Sequence, residues 1–166
     1  MDKSILFRAL LVAAALLGLS ACTTAPDYAA QYRPIQDDFI AVWNGAKLSK
    51  LDDMVAPKFQ RHGTGAAAED LAALKQTIIL YRTAFSDLKV TIDDAWYMKD
   101  RGFYRWTVTG TNNGAGLEGQ APTGKSMKVS GISAVTYIRG QIVDELIYYD
   151  RLELYEQLGY ILSPPS

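Results

Sequence analysis

Apolar residues in the first half of the chain recur every three to four positions, the spacing of one face of an α-helix. The residues of the first such face are Ile35, Phe39, Val42 and Trp43. The pair Asn44-Gly45 predicts the end of this helix. A short helix is predicted over residues 49–55, before Pro57, and a longer amphipathic helix over residues 67–84.

The second half of the chain changes to the pattern of β-strands. Residues 88–98 and 103–112 are rich in Val, Ile, Trp and Tyr and flank a turn. Residues 127–138 and 142–150 flank a second turn, and a helical segment is predicted over 151–158. Helices followed by a meander of strands predict an α+β domain, with helices packed on one face of a curved antiparallel sheet.

The first residues have the layout of a secretory signal peptide. Lys3 and Arg8 lie around the start of an apolar run over residues 5–19, which is short for a membrane span. The run ends in Leu19-Ser20-Ala21-Cys22, which resembles the bacterial lipobox. We therefore predict a cleaved signal over 1–21, a lipidated tether over 22–32 and one domain over 33–163. An ordinary signal peptide or anchor with an incidental cysteine is the alternative.

Lipidation of Cys22 implies an address in the bacterial cell envelope. Cys22 is the only cysteine, so the chain forms no intramolecular disulfide, and a lipid would cap its thiol in an oxidising compartment. Thr23 follows it rather than Asp, which resembles proteins sorted to the outer membrane. We expect attachment to the membrane through this lipid, at the periplasmic face of the outer membrane.

Two glycine-rich motifs formally match nucleotide-binding patterns. They overlap at Gly119 and lie within residues 114–126. Both motifs need a following helix to hold phosphate, and strand is predicted here instead. We therefore expect no nucleotide cofactor. The single histidine and single cysteine predict no metal site, and the formal net charge of −1 predicts no nucleic-acid partner.

Segments of the second half resemble, as an ordered set, the SnoaL-like family. Coverage runs over residues 39–159. The segments that carry the resemblance are Phe85-Ser86-Asp87-Leu88, Trp106-Thr107-Val108-Thr109-Gly110-Thr111, Gly119-Gln120-Ala121-Pro122-Thr123-Gly124-Lys125, Val129-Ser130-Gly131-Ile132, Gly140-Gln141-Ile142-Val143-Asp144, and Asp150 with Glu156-Gln157-Leu158-Gly159. The resemblance implies the cone-shaped α+β barrel of the nuclear transport factor 2 superfamily, in which a curved sheet wraps a long helix around an apolar pocket.

Members of this family that are polyketide cyclases use an aspartate that Asp150 matches, and they need no cofactor. Burial in an apolar pocket would raise the pKa of such a carboxyl group toward that of a general acid or base. Strand alternation places Leu146, Tyr148 and Asp150 on one face, which we expect to be the concave one. His62 resembles a pocket histidine of the family and would suit proton transfer with Asp150. The alternatives are that Asp150 caps the last helix and that His62 is solvated or structural.

Aromatic residues supply candidates for the pocket wall, with core packing as the alternative. The predicted wall residues are Trp43, Tyr81, Trp106, Asn112, Leu146 and Tyr148. Asn112 stands where the family often has His, and Leu146 where it often has Trp. Both departures change the predicted pocket relative to the family's enzymes.

The preferred hypothesis is an envelope-anchored domain that binds a small, largely apolar molecule. One alternative is a cofactor-free lyase, isomerase or hydrolase that uses Asp150 and His62 as acid and base. Another is a protein-interaction module that forms a homodimer through an exposed apolar sheet face.

Overall fold

The computed structural model describes residues 25–64, 67–114 and 117–161. The predicted signal segment and Cys22 lie outside the described residues. The elements are α1 Tyr28–Trp43, a 3₁₀ turn Leu48–Lys50, α2 Leu51–Met54, β1 Val55–Gly63, α3 Leu71–Ala84, β2 Lys89–Met98, β3 Arg101–Thr111, a 3₁₀ turn Leu117–Gly119, β4 Ser126–Ile138, β5 Gln141–Tyr149 and α4 Arg151–Gln157. Of the helices in these three ranges, none has the length and apolar content that a membrane crossing requires.

Helix α1 begins earlier than the sequence pattern indicates. The side chain of Asp27 accepts a hydrogen bond from the backbone N–H of Ala30 at 2.9 Å and so caps the first turn. The helix ends at Asn44 as predicted, where Gly45 adopts a positive φ of 112°. Its first residue, Tyr28, lies inside the range assigned to the tether, so the helical part of the domain starts closer to Cys22 than expected.

The five strands form one sheet in the order β1-β5-β4-β3-β2. Strands β2 to β5 pair antiparallel with their sheet neighbours, as the meander predicts. Strand β1 was not predicted and pairs parallel with β5. Residues 55–63 carry Pro57 and few β-branched residues, so local propensity gives little sign of a strand that forms by pairing with a distant segment.

Three irregularities of register interrupt the pairing of the sheet. They lie at residues 55–60 of β1, at Asp93 of β2 and at Val143 of β5, opposite residues 136–137 of β4. Such bulges increase local twist and curve the strand that holds them. Helices α1 and α3 cover the concave face and bury, among others, Phe39, Leu74 and Ile78. The structure confirms the predicted α+β fold with a curved sheet.

Candidate functional site

A cavity of about 90 Å³ lies between the helices and the concave face of the sheet. A buried water needs roughly 10–15 Å³ by this measure, so the space admits several waters or a small guest. Most of its wall is apolar. The lining side chains include Phe39, Ile40, Trp43, Leu88, Val90, Ile92, Trp106, Val108, Met127, Val129, Ile147 and Leu154.

A chain of polar groups interrupts this apolar wall. The indole N–H of Trp106 donates to Ser133 Oγ at 3.1 Å, and Ser133 Oγ donates to Glu145 Oε1 at 2.9 Å. The Trp106 ring lies over Gly131, where an added Cβ would overlap the ring. The three polar side chains are buried and line the cavity. The carboxylate of Glu145 therefore lies in a mostly apolar cavity, where a buried charge without hydrogen-bonding or charged partners would cost free energy.

Arg61 is the counter-ion of Glu145. The two residues are direct partners in the β1–β5 register, which puts both side chains on the concave face. Arg61 Nε lies 3.3 Å from Glu145 Oε2, yet neither atom has hydrogen-bonding geometry to a partner. We take the distance as an ion pair without a well-formed hydrogen bond. The guanidinium also lies over the Trp43 ring, 5.1 Å from its centroid.

The terminal nitrogens of Arg61, Nη1 and Nη2, donate no hydrogen bond within residues 25–64, 67–114 and 117–161. Arg61 and Thr64 both line the cavity. Guanidinium N–H groups are strong donors with fixed directions. The cavity therefore offers donors to an oxygen-bearing guest.

Phenol groups form a further polar part of the wall, in addition to Gln36. The hydroxyls of Tyr81 and Tyr149 lie 3.4 Å apart. Burial raises the pKa of Tyr149, and the neighbouring Tyr81 adds to this effect. Tyr104 also lines the cavity, and its hydroxyl lies 2.5 Å from that of the buried Tyr137; burial raises the pKa of each of these two phenols. The raised pKa values keep Tyr104, Tyr137 and Tyr149 neutral near neutral pH.

The structure places three of the predicted wall residues, Trp43, Tyr81 and Trp106, on the cavity. Leu146 and Tyr148 do not line it. They lie on the outer face of β5 and are exposed, whereas Glu145, Ile147 and Tyr149 face inward. The expected orientation of β5 is wrong by one residue, which turns every side chain to the opposite face.

Asp150 lies outside the cavity, at the junction of β5 and α4. It is exposed, and its Oδ1 accepts a hydrogen bond from the backbone N–H of Glu153 at 3.0 Å. This is the geometry of a helix N-cap. Of the two alternatives for Asp150, the geometry matches the cap.

His62 lies on the outer face of the sheet. Its Nε2 is 2.6 Å from Asp144 Oδ2, and both side chains are partly exposed. His62 is next to Arg61 in the strand, so the two side chains leave β1 on opposite faces. The structure thus does not bring His62 together with Asp150, and neither lines the cavity.

Asn112 is fully buried but has a structural position. Its side-chain amide donates to the carbonyl of Ala84 at 3.3 Å and accepts from the N–H of Thr123 at 2.8 Å. It joins the end of α3 to the loop before β4. The prediction that Asn112 lines the pocket is wrong, because these backbone groups hold its side chain away from the cavity.

Sequence reasoning missed the polar residues that do line the cavity. Arg61 lies in a strand that the sequence pattern does not predict, and Glu145 and Ser133 are not among the predicted site residues. Strict alternation from the buried Ile142 would place Asp144 and Leu146 inward, but the register shift at Val143 moves Glu145 and Ile147 to the inner face, so the local pattern of β5 does not indicate Glu145. Within the described residues no group of three or more His, Cys, Asp or Glu side chains is arranged to hold a metal ion.

Solved structures with the same fold come from several bacteria. TsrD from Streptomyces laurentii is 22% identical, with 80% of this chain and 97% of that chain covered and a TM-score of 0.72. A protein from Jannaschia sp. CCS1, described as a SnoaL-like polyketide cyclase, is 18% identical, with 86% and 99% covered and a TM-score of 0.72. A protein with a ketosteroid isomerase-like fold from Catenulispora acidiphila, in complex with trimethylamine, is 18% identical, with 85% and 100% covered and a TM-score of 0.63.

Comparison with curated proteins gives no match to the sequence. Comparison with protein families gives a match to SnoaL-like polyketide cyclases over residues 34–158. This range contains the cavity-lining strands and both covering helices, apart from the first turns of α1. The chain belongs to the SnoaL-like polyketide cyclase family.

Proposed function

We propose that the folded domain binds a small, largely apolar molecule in the cavity and that the chain is held in the bacterial envelope by a lipid on Cys22. The observation that carries the binding proposal is the apolar cavity with the buried group of Arg61, Ser133 and Glu145 on its wall. Apolar walls with a few placed polar groups are typical of small-molecule sites. The complex of the Catenulispora protein with trimethylamine supports the idea that this fold admits small organic guests.

The buried group of Arg61, Ser133 and Glu145 also determines which charge and which polar atoms a bound molecule can have. Arg61 and Glu145 balance each other in charge, so a carboxylate guest would add an uncompensated charge to the cavity, at a cost in desolvation. A neutral guest with an acceptor oxygen gains a hydrogen bond from Arg61 without that cost. We therefore expect neutral, oxygen-bearing apolar molecules to bind in preference to anions of the same size.

Titration of the fluorescence of Trp43 and Trp106 with acetophenone, benzoate and toluene tests this binding. We expect acetophenone to bind more tightly than toluene, and toluene more tightly than benzoate. Val129→Phe fills the cavity from β4 and should abolish binding. Lys128→Phe adds the same ring to the outer face of that strand and is the control. Equal binding to both variants would show that the probes lie elsewhere.

A second candidate function, acid–base catalysis without a cofactor, is favoured by the carboxylate of Glu145. We propose Glu145, rather than Asp150 with His62, as the group that would accept a proton from a bound guest, because it lines the cavity. Exchange of the α-protons of acetophenone for deuterium, followed by NMR, measures such transfer. Glu145→Gln should stop exchange. Asp150→Asn keeps the helix cap and should leave the exchange unchanged. A loss of exchange in Asp150→Asn or His62→Gln would instead favour the pair predicted from the sequence.

A homodimer is the third candidate, and the outer face of the sheet favours it. Ile132, Leu146 and Tyr148 are exposed and lie in two adjacent rows of β4 and β5. Sedimentation of the protein gives the oligomeric state. We expect Ile132→Lys to convert a dimer to a monomer, and a monomeric wild type at high concentration would exclude this interface.

Lipidation of Cys22 has a separate test. Replacement of Cys22 with Ser should leave unprocessed precursor and abolish incorporation of labelled palmitate. Fractionation of inner and outer membranes tests the proposed outer-membrane address. Labelling of the Cys22→Ser variant would refute lipid attachment at this residue.

A further inference from the structure

Two turns of the sheet lie side by side at one end of the domain. The β2–β3 turn contains Asp100 and the β4–β5 turn contains Arg139, both with positive φ. The backbone N–H of Tyr137 donates to the carbonyl of Asp100 at 3.0 Å and joins the β2–β3 turn to the end of β4. The loop between β3 and β4 lies at the opposite end of these antiparallel strands.

This end exposes large apolar side chains. Trp96 is 55% exposed, Met98 48%, Ile138 56% and Phe103 39%. Trp96 and Phe103 are cross-strand partners in the β2–β3 register. We call these four residues the apolar rim. Monomeric proteins do not usually expose such a group without a binding partner.

Cations surround the apolar rim. Lys99, Arg101 and Arg139 are exposed in or next to the two turns, and Arg33 of α1 is exposed nearby. Within the described residues none of the four forms an ion pair. Their charges are thus available to an anionic surface.

The chain enters the domain at the same end. Ala29 and Arg33 of α1 border a shallow depression together with Trp96, Met98 and Phe103. Tyr32 stacks on Tyr137 with ring centroids 4.2 Å apart, which fixes the first turns of α1 against the end of β4. A link from Cys22 to Tyr28 spans at most about 20 Å when fully extended. A lipid at Cys22 therefore keeps this end of the domain close to the bilayer.

We propose that the apolar rim docks on the surface of the lipid bilayer, with Trp96 in the interfacial region. The proposal rests on the proposed lipid attachment at Cys22. Tryptophan favours the membrane–water interface because its ring is apolar and its N–H is polar. The surrounding cations favour anionic headgroups. Docking would hold the domain in one orientation on the membrane.

Quenching of Trp96 by brominated lipids tests the proposal. The protein from Cys22 onward contains every described residue, and its only cysteine can be coupled to a maleimide phospholipid. This coupling is made on vesicles of phosphatidylethanolamine and phosphatidylglycerol with brominated acyl chains. We expect fluorescence to fall relative to unbrominated vesicles, and the fall to be absent in Trp96→Phe, because Trp43 and Trp106 are buried.

A matched pair of variants separates docking from simple proximity. Met98→Ser with Phe103→Ser keeps Trp96 and should reduce the quenching about twofold or more. Ile79→Ser with Leu80→Ser removes exposed apolar area from α3 and should leave it unchanged. Quenching that both pairs reduce equally, or that is absent in the wild type, would overturn the proposal. Concentration-dependent shielding of Trp96 from iodide without vesicles would assign the rim to a second copy instead.

Failure of this proposal is distinguishable from failure of lipid attachment. The maleimide coupling supplies an anchor whether or not the cell lipidates Cys22. The coupled protein could show quenching while cells incorporate no palmitate at Cys22. The apolar rim would then contact lipid only because of the artificial anchor, and the proposed docking of a natural lipoprotein would be refuted. Palmitate labelling of Cys22 without quenching of Trp96 would support the lipid anchor and refute docking of the apolar rim.

Discussion

The side chains of strand β5 alternate between two faces of the sheet that differ in burial. Glu145, Ile147 and Tyr149 face the cavity and are mostly buried, whereas Leu146 and Tyr148 face outward and are exposed. The charged residue on the inner face is paired with a buried arginine, and Asp144 on the outer face is paired with a partly exposed histidine. Neighbouring residues thus experience very different surroundings.

The comparison shows where a charged side chain affects stability and binding. A buried charge depends on its partner, because water cannot replace that partner. An exposed pair exchanges one hydrated state for another and contributes little. We therefore expect the inner pair to control stability and guest binding, and the outer pair to tolerate change.

The largest effect is expected from Glu145→Ala. Loss of the carboxylate leaves the Arg61 guanidinium buried without a counter-ion, which costs about 3–5 kcal/mol of unfolding free energy. Asp144→Ala on the outer face should cost about 0–1 kcal/mol. Urea unfolding of the two variants measures both values.

A double variant tests the reason for that effect. Arg61→Met with Glu145→Leu removes both charges and should be nearly as stable as the wild type, because no charge is left unpaired. If the double variant were as unstable as Glu145→Ala, packing rather than charge would explain the loss.

The next largest effect is expected at the neighbouring apolar pair of residues. Ile147→Ala creates space beside the cavity and should cost roughly 2–4 kcal/mol, since its side chain is buried. Leu146→Ala should cost less than about 1 kcal/mol, because that side chain is exposed and loses little packing. Thermal unfolding of the two variants compares the faces directly. A larger loss in Leu146→Ala would mean that a partner covers the outer face.

The fold could be predicted because its signals are local. The spacing of Phe39, Val42 and Trp43 and the strand periodicity after residue 88 each depend on nearby residues only. The sequence pattern does not predict strand β1, because this strand forms by parallel pairing with the distant strand β5. His62 of β1 and its partner Asp144 of β5, for example, are more than 80 residues apart along the chain. Long-range pairing leaves no periodic trace in nine residues that include a proline.

The candidate site was harder to predict than the fold. Alternation groups Leu146 with Tyr148 and Asp150, but it does not say which face is concave. The answer depends on the packing of α1 and α3, which no local pattern in β5 records. Aromatic residues were placed better, since Trp43, Tyr81 and Trp106 line the cavity. Arg61 could not be considered without β1.

A moderate effect is expected at the end of β5. Asp150→Ala removes the acceptor that caps α4 and should cost about 1 kcal/mol. Asp150→Asn keeps an acceptor oxygen and should cost only a few tenths of that value. Chemical unfolding gives both, and equal losses in the two variants would show that the charge matters rather than the cap.

The smallest effect is expected at Asp87, an exposed carboxylate near the start of β2. The backbone N–H and the hydroxyl of Thr111 donate to it at 2.6 and 2.9 Å, and these hydrogen bonds lower the pKa of Asp87 below the usual aspartate value of 3.8. Because the folded pKa lies below the unfolded one, the contribution to stability is present above the unfolded pKa and is lost as the pH falls through the folded pKa. Unfolding measured across this acid range should depend less on pH in Asp87→Asn than in the wild type. Thr111→Val removes only the hydroxyl and should lose the smaller part, because the backbone hydrogen bond is the larger cause. An unchanged pH dependence in Asp87→Asn would mean that water replaces both hydrogen bonds of this exposed carboxylate at no cost in stability. Asp87 would then differ even more from Glu145, whose partners water cannot replace.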